Sequence, residues 1–73
     1  MPLQKTIGQN VRKLRTDLGW SQEKLSVRSK LSLNFIGLLE RGEVNVSATS
    51  IEKIAKALKI EPYLLLKKDD GKD

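Results

Sequence analysis

The sequence contains no cysteine and no histidine, and it has only three aromatic residues (Trp20, Phe35 and Tyr63). Without cysteine, neither a disulfide framework nor a thiolate metal site can stabilise the chain. Without histidine as well, a structural zinc site and every catalytic nucleophile–histidine pair are excluded. We therefore expect a protein that is not an enzyme and that binds no metal or other cofactor.

Long apolar runs are also missing. The longest covers residues 63–66, whereas a membrane span needs about 20 residues. The N-terminus also lacks the apolar core of a signal peptide. These absences predict a soluble, cytoplasmic protein without a membrane partner.

The chain of 73 residues is long enough for one small domain. A domain of this size buries only about 60% of the surface that its unfolded chain exposes. Its stability is therefore expected to be modest unless a partner contributes.

The net charge of +5 is concentrated in the first part of the chain. Residues 42–73 carry as many basic as acidic side chains. Residues 1–41 contain only three acids, Asp17, Glu23 and Glu40, against eight bases: Lys5, Arg12, Lys13, Arg15, Lys24, Arg28, Lys30 and Arg41. This asymmetry favours a polyanionic partner for the first half. The alternative is an ordinary soluble surface with scattered lysines.

Apolar residues recur with a helical period. In the first helix, Ile7, Val11, Leu14 and Leu18 fall on one face. Gly19 can adopt the positive φ that commonly closes a helix. The first predicted helix therefore ends just before Gly19.

Two short helices are predicted within residues 22–41. Ser21 is placed to cap a helix over residues 22–29 that turns Leu25 inward. Ser32 is placed to cap a helix over about 33–41, with Gly42 just beyond its end. In this second helix Ile36 and Leu39 should face the core. Ser26 is small enough to let the two helices cross closely.

The remaining residues predict two more helices. Residues 42–47 form a loop, and Ser47 caps a fourth helix whose inward face carries Ile51, Ile54, Ala55 and Leu58. Pro62 fits the first turn of a fifth helix that runs through Leu66. The prediction is thus an all-α, compact bundle of five short helices over residues 1–66. A charged tail, residues 67–73, is expected to be disordered.

Residues 22–41 have the organisation of a helix-turn-helix. In such a unit the second helix projects, and its outer face can enter the major groove of DNA. The first helix directs its N-terminus at a phosphate, where free amides and the helix dipole favour an anion.

The sequence resembles the lambda-repressor-like family, also called the xenobiotic-response-element type. The resemblance covers roughly residues 7–66 and rests on residues 14–15 (LR), 19–25 (GWSQEKL), 36–42 (IGLLERG), Asn45, Ser47 and 51–58 (IEKIAKAL). The short chain further resembles the small controller proteins of restriction–modification systems. Other stand-alone repressors and antitoxin-type regulators share the domain.

The resemblance implies phosphate contacts at Ser21, Gln22, Ser32, Arg41 and Asn45. For the two serines, helix capping alone is an alternative. Arg15 and Glu40 match a pair that forms a partly buried salt bridge between the first and third helices. The alternative is two unrelated surface charges.

Base contacts would fall to Leu33, Asn34, Gly37 and Leu38, where family members commonly carry Arg, Gln or Thr. Asn34 is the only hydrogen-bonding side chain of the four, and asparagine pairs well with adenine. A leucine can touch a thymine methyl group, or it can be plain apolar surface. We therefore expect recognition that leans towards A·T, aided by DNA shape.

The turns also depart from the family pattern. Lys30 and Lys59 stand where the family usually has glycine or asparagine with a left-handed backbone. A lysine can adopt that conformation at a cost of roughly 1 kcal/mol.

One such domain contacts only one half-site, so a palindromic operator calls for a homodimer. Apolar residues near the C-terminus could form the dimer interface, or could simply cover the core: Ile60, Tyr63, Leu64, Leu65 and Leu66. The sequence thus predicts a transcriptional regulator that binds double-stranded DNA and no small-molecule ligand. The alternative is a protein-interaction module, such as an antitoxin, that uses the apolar residues Leu33, Phe35 and Leu38.

Overall fold

Five helices run through residues 2–68, the part of the chain that the structure, a computed structural model, describes. They are α1 (Leu3–Asp17), α2 (Gln22–Ser29), α3 (Leu33–Glu40), α4 (Ala48–Leu58) and α5 (Tyr63–Leu66). No strand occurs within these residues, and the predicted all-α bundle is confirmed. In the predicted tail, Lys67 and Lys68 follow α5 without helical structure, and residues 69–73 lie outside the described range.

The helix boundaries follow from capping residues. Each of the three predicted serine caps, Ser21, Ser32 and Ser47, accepts a hydrogen bond from a backbone N–H in the first turn of its helix. At the end of α1, Gly19 has a φ of 73° and its N–H donates to the Thr16 carbonyl at 2.9 Å. The start of α1 is earlier than the apolar face suggests, because the Pro2 carbonyl accepts from the Lys5 and Thr6 amides.

The core lies where α1 packs on α3 and α5, and where α2 packs on α3 and α4. Leu25, Ile36 and Leu39 are completely buried, as predicted. Leu18 was expected on the inward face of α1, but it is 51% exposed. Leu18 still donates its N–H to the Leu14 carbonyl and lines the same shallow depression as Leu14, so it shares the apolar face but is only partly covered at the end of α1. The completely buried hydrophobic side chains are Val11, Leu25, Ile36, Leu39, Ile54 and Leu65.

A close approach between backbones fixes α1 against the end of α3. Gly8 is buried, and a Cβ placed on it would overlap the Leu39 carbonyl oxygen and lie 2.8 Å from that of Glu40. Only glycine permits this distance, because any side chain would push the helices apart. The contact places the α3 C-terminus within reach of the polar side chains of α1.

Candidate nucleic-acid interface

A short turn, residues 30–32, joins α2 to α3. Lys30 adopts the predicted left-handed conformation, with φ 63° and ψ 28°. The Leu31 N–H donates to the Ser26 carbonyl at 3.2 Å, while the Ser26 hydroxyl donates back to the Leu31 carbonyl. These two bonds close the turn and fix the direction in which α3 leaves α2. Ser26 therefore supplies hydrogen bonds in addition to the small volume expected of it.

The N-termini of α2 and α3 are both capped by serine. The Ser21 hydroxyl accepts from the Lys24 amide, and the Ser32 hydroxyl accepts from the Phe35 amide, each at 3.0 Å. Both serines are exposed. A hydroxyl that accepts one bond still carries a proton to donate. Capping and a contact to a phosphate oxygen are therefore compatible at both positions.

Arg15 and Glu40 form the predicted ion pair between α1 and α3. Arg15 Nε lies 2.6 Å from Glu40 Oε2, and Arg15 Nη2 lies 2.9 Å from Glu40 Oε1. The side chains are 10% and 4% exposed, respectively. The hydrogen bond to Glu40 and the nearby negative charge raise the pKa of Arg15, against the opposing effect of burial. The pair is therefore structural, and it fixes α3 on α1.

Gln22 joins this ion pair from the first turn of α2. Its Nε2 donates to Glu40 Oε1 at 3.1 Å, and its side chain is half-buried. The amide group has a second N–H and a carbonyl oxygen beyond this bond. The structure thus places Gln22, a predicted phosphate ligand, in a fixed position at the N-terminus of α2.

The outer face of α3 carries the predicted base-contacting residues. Asn34 is exposed, Leu33 is 45% exposed, and Leu38 is half-buried. Gly37, by contrast, is buried, and the Arg41 guanidinium Nη1 would lie 3.5 Å from a Cβ at this position. The base contact of Gly37 stays a prediction, because the Arg41 side chain that covers this glycine is itself exposed. Having no side chain and lying beneath Arg41, Gly37 provides space for that arginine.

The two predicted phosphate ligands beyond α3 already have partners within the chain. Arg41 Nε lies 3.1 Å from Glu43 Oε1 in an exposed ion pair. Asn45 Oδ1 accepts from Gln4 Nε2 of α1 at 2.6 Å. The Asn45 amide nitrogen remains a donor, because that bond uses only its oxygen. Gln4 was not singled out in the sequence, because only the fold brings it to Asn45.

The Trp20 ring lies close to two cationic side chains of α2, Lys24 and Arg28. Lys24 Nζ lies 5.1 Å from the Trp20 ring centre, and Arg28 Cζ lies 5.6 Å from it. Distances of this size allow cation–π attraction. This cluster was not predicted from the sequence, although residues 20, 24 and 28 have the four-residue spacing of one helix face. The cluster holds basic side chains along the outer face of α2.

We call the apolar residues Ile60, Tyr63, Leu64 and Leu66 the C-terminal apolar surface. It differs from the predicted dimer interface by the absence of Leu65. Tyr63 is 63% exposed and Leu66 is 41% exposed, while Ile60 and Leu64 are half-buried. Leu65 is completely buried. Its predicted place in a dimer interface is wrong, because successive residues of the short α5 face in different directions and Leu65 is the one directed into the core.

A shallow apolar depression lies between the C-termini of α1 and α4. Leu14, Leu18, Leu58 and Ile60 line it together with Asp17. Ile60 is one of the C-terminal apolar residues, and it also lines this depression. Because the exposed Leu18 lines the same depression, it extends the apolar surface onto α1. Leu18 was not predicted to belong to this surface, because its spacing assigns it to the apolar face of the first helix with Ile7, Val11 and Leu14.

Two kinds of site are missing from residues 2–68. No group of three or more acidic, cysteine or histidine side chains is arranged to hold a metal ion. None of the described helices combines the length and the apolar character that crossing a bilayer requires.

The chain resembles a known protein family, individual known proteins and solved structures. The helix-turn-helix family matches residues 11–65. Control protein C.BamHI of Bacillus amyloliquefaciens is 47% identical over 60 residues, which cover 81% of this chain and 74% of that protein. A Neisseria meningitidis protein described as a hypothetical transcription factor is 36% identical over 64 residues. These cover 88% of this chain but only 60% of the Neisseria protein.

Among solved structures, the restriction-modification controller protein C.AhdI from Aeromonas hydrophila superposes with a TM-score of 0.83. It is 47% identical in sequence, and the match covers 85% of this chain and 94% of C.AhdI. The likeness extends over most of both chains.

Proposed function

The chain belongs to the helix-turn-helix family, and we propose that it binds a palindromic DNA operator as a homodimer to control a restriction–modification system. The resemblance to C.AhdI, which is named as a restriction-modification controller protein, supports the last part of this proposal, as does the resemblance to the control protein C.BamHI. The first part rests on the geometry of α2, α3 and the C-terminal apolar surface.

One observation carries the proposal. The N-termini of α2 and α3 are both serine-capped, and the turn between them leaves the face of α3 that carries Asn34 exposed. An exposed second helix of this kind fits the major groove, while free amides at the N-terminus of the first helix attract a phosphate. Asn34 and Leu33 would then contact base edges, with Leu38 beside them.

The phosphate contacts would come from both ends of this unit. Ser21 and Gln22 lie at the start of α2, and Ser32 lies at the start of α3. Arg41 and Asn45 follow α3. Because Glu40 fixes Gln22 and Gln4 fixes Asn45, two of these groups are held in place before DNA arrives. Such preorganisation lowers the entropy that is lost on binding.

Dimerisation is supported by exposed apolar side chains in α5 and at the end of α1. Leu18, Tyr63 and Leu66 are all more than 40% exposed. Clusters of exposed apolar side chains on small proteins commonly mark an interface. A two-fold dimer would also match the symmetry of a palindromic operator.

The salt dependence of duplex binding tests the proposal. Random-sequence duplex is titrated with the protein at several salt concentrations, and the affinity is measured by gel shift or fluorescence anisotropy. If a dimer makes about 6–10 phosphate contacts, the affinity should fall ~10³–10⁵-fold between about 50 and 200 mM salt. A flat response would contradict DNA binding.

The alternative, a protein-interaction module, would use the apolar part of α3. Leu33 is available for it, but Phe35 is half-buried and packs against the core, which reduces the apolar face. A protein that binds no duplex even at low salt, yet retains its fold by circular dichroism, would favour this alternative.

A further inference from the structure

Five basic side chains converge on a groove between the C-terminal parts of α2 and α4. We call it the α2–α4 groove, and its basic residues are Arg28, Lys30, Lys53, Lys56 and Lys59. Two small residues, Ser29 and Ala57, complete the lining. The groove encloses about 380 Å³, within the usual size range of small-ligand sites. None of its lining residues is acidic.

The basic side chains of the groove take part in no ion pair within residues 2–68. The ion pairs there join Lys13 to Asp17, Arg15 to Glu40, and Arg41 to Glu43. None of them includes a cation of the groove. Arg28 contacts the ring of Trp20, but a ring contact leaves its positive charge in place. Each of the five groove cations therefore lacks an ion-pair partner within the described residues, although Glu52 and Glu61 adjoin the groove lysines of α4 in the sequence.

Two of these lysines occupy a strained backbone conformation. Lys30 caps α2 at φ 63° and Lys59 caps α4 at φ 59°. They are the only residues other than glycine with positive φ in the described part of the chain. Glycine would adopt this conformation without strain. Both strained residues are thus lysines, and both line the same groove.

Helix dipoles do not account for the whole arrangement. A basic residue near a helix C-terminus is favourable, which suits Arg28 and Lys56 in the last turns of their helices. The dipole effect falls off within one turn, so it does not explain Lys53. At Lys30 and Lys59 the gain is offset by the left-handed strain. Strained residues at one surface site are a reason to look for a ligand.

We propose that the α2–α4 groove binds a small oligoanion, namely a chain of linked phosphates such as that of tripolyphosphate or of a nucleoside triphosphate. The lining holds no aromatic or large apolar side chain that could stack on a base or anchor a protein partner. Recognition would therefore depend on the phosphate chain alone. This site departs from the expectation, based on sequence, that the protein binds no small molecule.

The groove lies at the ends of α2 and α4 opposite to Ser21, Gln22 and Asn45, although Lys30 is only two residues before Ser32, which is also assigned to a phosphate. Ser21 and Gln22 begin α2, whereas Arg28 and Lys30 end it, about 12 Å away along the axis of an eight-residue helix. Asn45 likewise precedes α4, whereas Lys56 and Lys59 are at its C-terminal end. An oligoanion in the groove would thus leave the start of α2 free.

An NMR titration of the isotope-labelled protein with tripolyphosphate, at about 150 mM salt to screen weak surface attraction, tests the proposal. Saturable shifts should be confined to residues 28–30 and 53–59. Adenosine triphosphate should bind about as tightly, because the base is not recognised, whereas inorganic monophosphate should bind more weakly. Shifts centred on the start of α2 or on α3 would overturn the proposal.

Two variants remove a groove cation while relieving backbone strain. Lys30→Gly and Lys59→Gly should each weaken tripolyphosphate binding about fivefold, as expected for one exposed ion pair. The control is Lys13→Gln, which removes one positive charge from α1, outside the groove. Equal weakening by all three variants would indicate general attraction and would overturn the proposal.

Other polyanions are tested by competition at the same salt concentration. Tripolyphosphate bound to the groove should resist displacement by a short oligoglutamate peptide. If the peptide binds these residues more tightly, the groove accepts acidic protein segments and the phosphate assignment fails. Protection of the same residues by duplex DNA would assign the groove to the operator and would equally overturn the proposal.

Discussion

Arg15 and Glu40, 25 residues apart in the sequence, are joined by two parallel hydrogen bonds of 2.6 and 2.9 Å. Arg15 Nη1 also donates to the Trp20 carbonyl at 2.7 Å. One guanidinium thus connects α1, α3 and the chain leading into α2. The ion pair therefore stabilises the relative positions of the two helices that are assigned to DNA.

Replacing Glu40 should destabilise the fold. Removing one partner of a buried ion pair typically costs ~3–5 kcal/mol, and less where water reaches the remaining charge. We expect Glu40→Ala to lower the free energy of unfolding clearly, as measured by urea denaturation. The matched control is Asp17→Ala, because the exposed Lys13–Asp17 pair should contribute only ~0.3–0.5 kcal/mol. An unchanged midpoint for Glu40→Ala would refute the structural role.

The left-handed lysines should be replaceable by glycine. Lys30→Gly removes the strain of a residue with a Cβ, partly offset by the greater freedom of glycine in the unfolded chain. We expect a gain of up to about 1 kcal/mol in chemical denaturation. The reciprocal variant is Gly19→Ala, at φ 73° with no atom within 4 Å of the added Cβ. It should cost about 1 kcal/mol through backbone strain alone. Clear destabilisation by Lys30→Gly would contradict the assigned strain.

Gly8→Ala tests the close packing of α1 on α3. The added methyl group would meet the backbone carbonyls of Leu39 and Glu40, which cannot move as a flexible side chain can. Overpacking of this kind typically costs ~1–3 kcal/mol, more than the helix propensity gained from alanine. Thermal unfolding followed by circular dichroism measures the loss. A variant as stable as the parent would show that the two helices separate easily.

The features predicted correctly from sequence are those set by local chemistry. The serine caps, the positive φ of Gly19 and the inward positions of Leu25, Ile36 and Leu39 depend on residues within a turn or two. Helical periodicity and capping preferences depend on this local sequence, so they predict such features directly. This explains why the predicted bounds of α2 and α3 agree with the observed ones to within a residue, and why α4 begins directly after its predicted cap, Ser47.

The features that were missed depend on tertiary packing. Gly8 and Gln4 matter only because the fold brings them to α3 and to Asn45. The apolar pattern correctly places Leu18 on the face of Leu14, yet no neighbouring element covers it fully and it is 51% exposed. Among adjacent leucines, composition alone does not indicate that Leu65 is the buried one. Periodicity specifies a face, but it does not specify which neighbour covers that face.

The C-terminal apolar surface should hold the dimer. Changing Tyr63 and Leu66 together to serine removes two exposed apolar side chains without touching the core. We expect analytical ultracentrifugation to show a shift to monomer, with weaker DNA binding and an intact fold. Leu65→Ala is the contrasting variant, and it should cost ~2–5 kcal/mol by opening a cavity in the core. A parent protein that sediments as a monomer at high micromolar concentration would exclude this dimer.

Two substitutions, one in α3 and one in α2, should affect the sequence selectivity of DNA binding differently. Asn34 lies in the first turn of α3, the part of such a helix that contacts base edges. Losing one two-point contact to a base should cost ~1–3 kcal/mol and relax selectivity at one base position. Gln22→Ala should instead weaken selected and scrambled duplexes about equally, because a phosphate contact carries no sequence information.

The measurement is a pair of competition titrations for each variant, using a duplex selected from a random pool and its scrambled counterpart. Gln22 also donates to Glu40, so the stability of Gln22→Ala is measured first, and the titrations are run where the variant is fully folded. Asn34 makes no comparable contact that would confuse the result, since its side chain is exposed. If Asn34→Ala leaves the ratio of selected to scrambled affinity unchanged, α3 does not read bases through Asn34. Selectivity would then have to come from Leu33 and Leu38 against thymine methyl groups, or from the shape of the duplex.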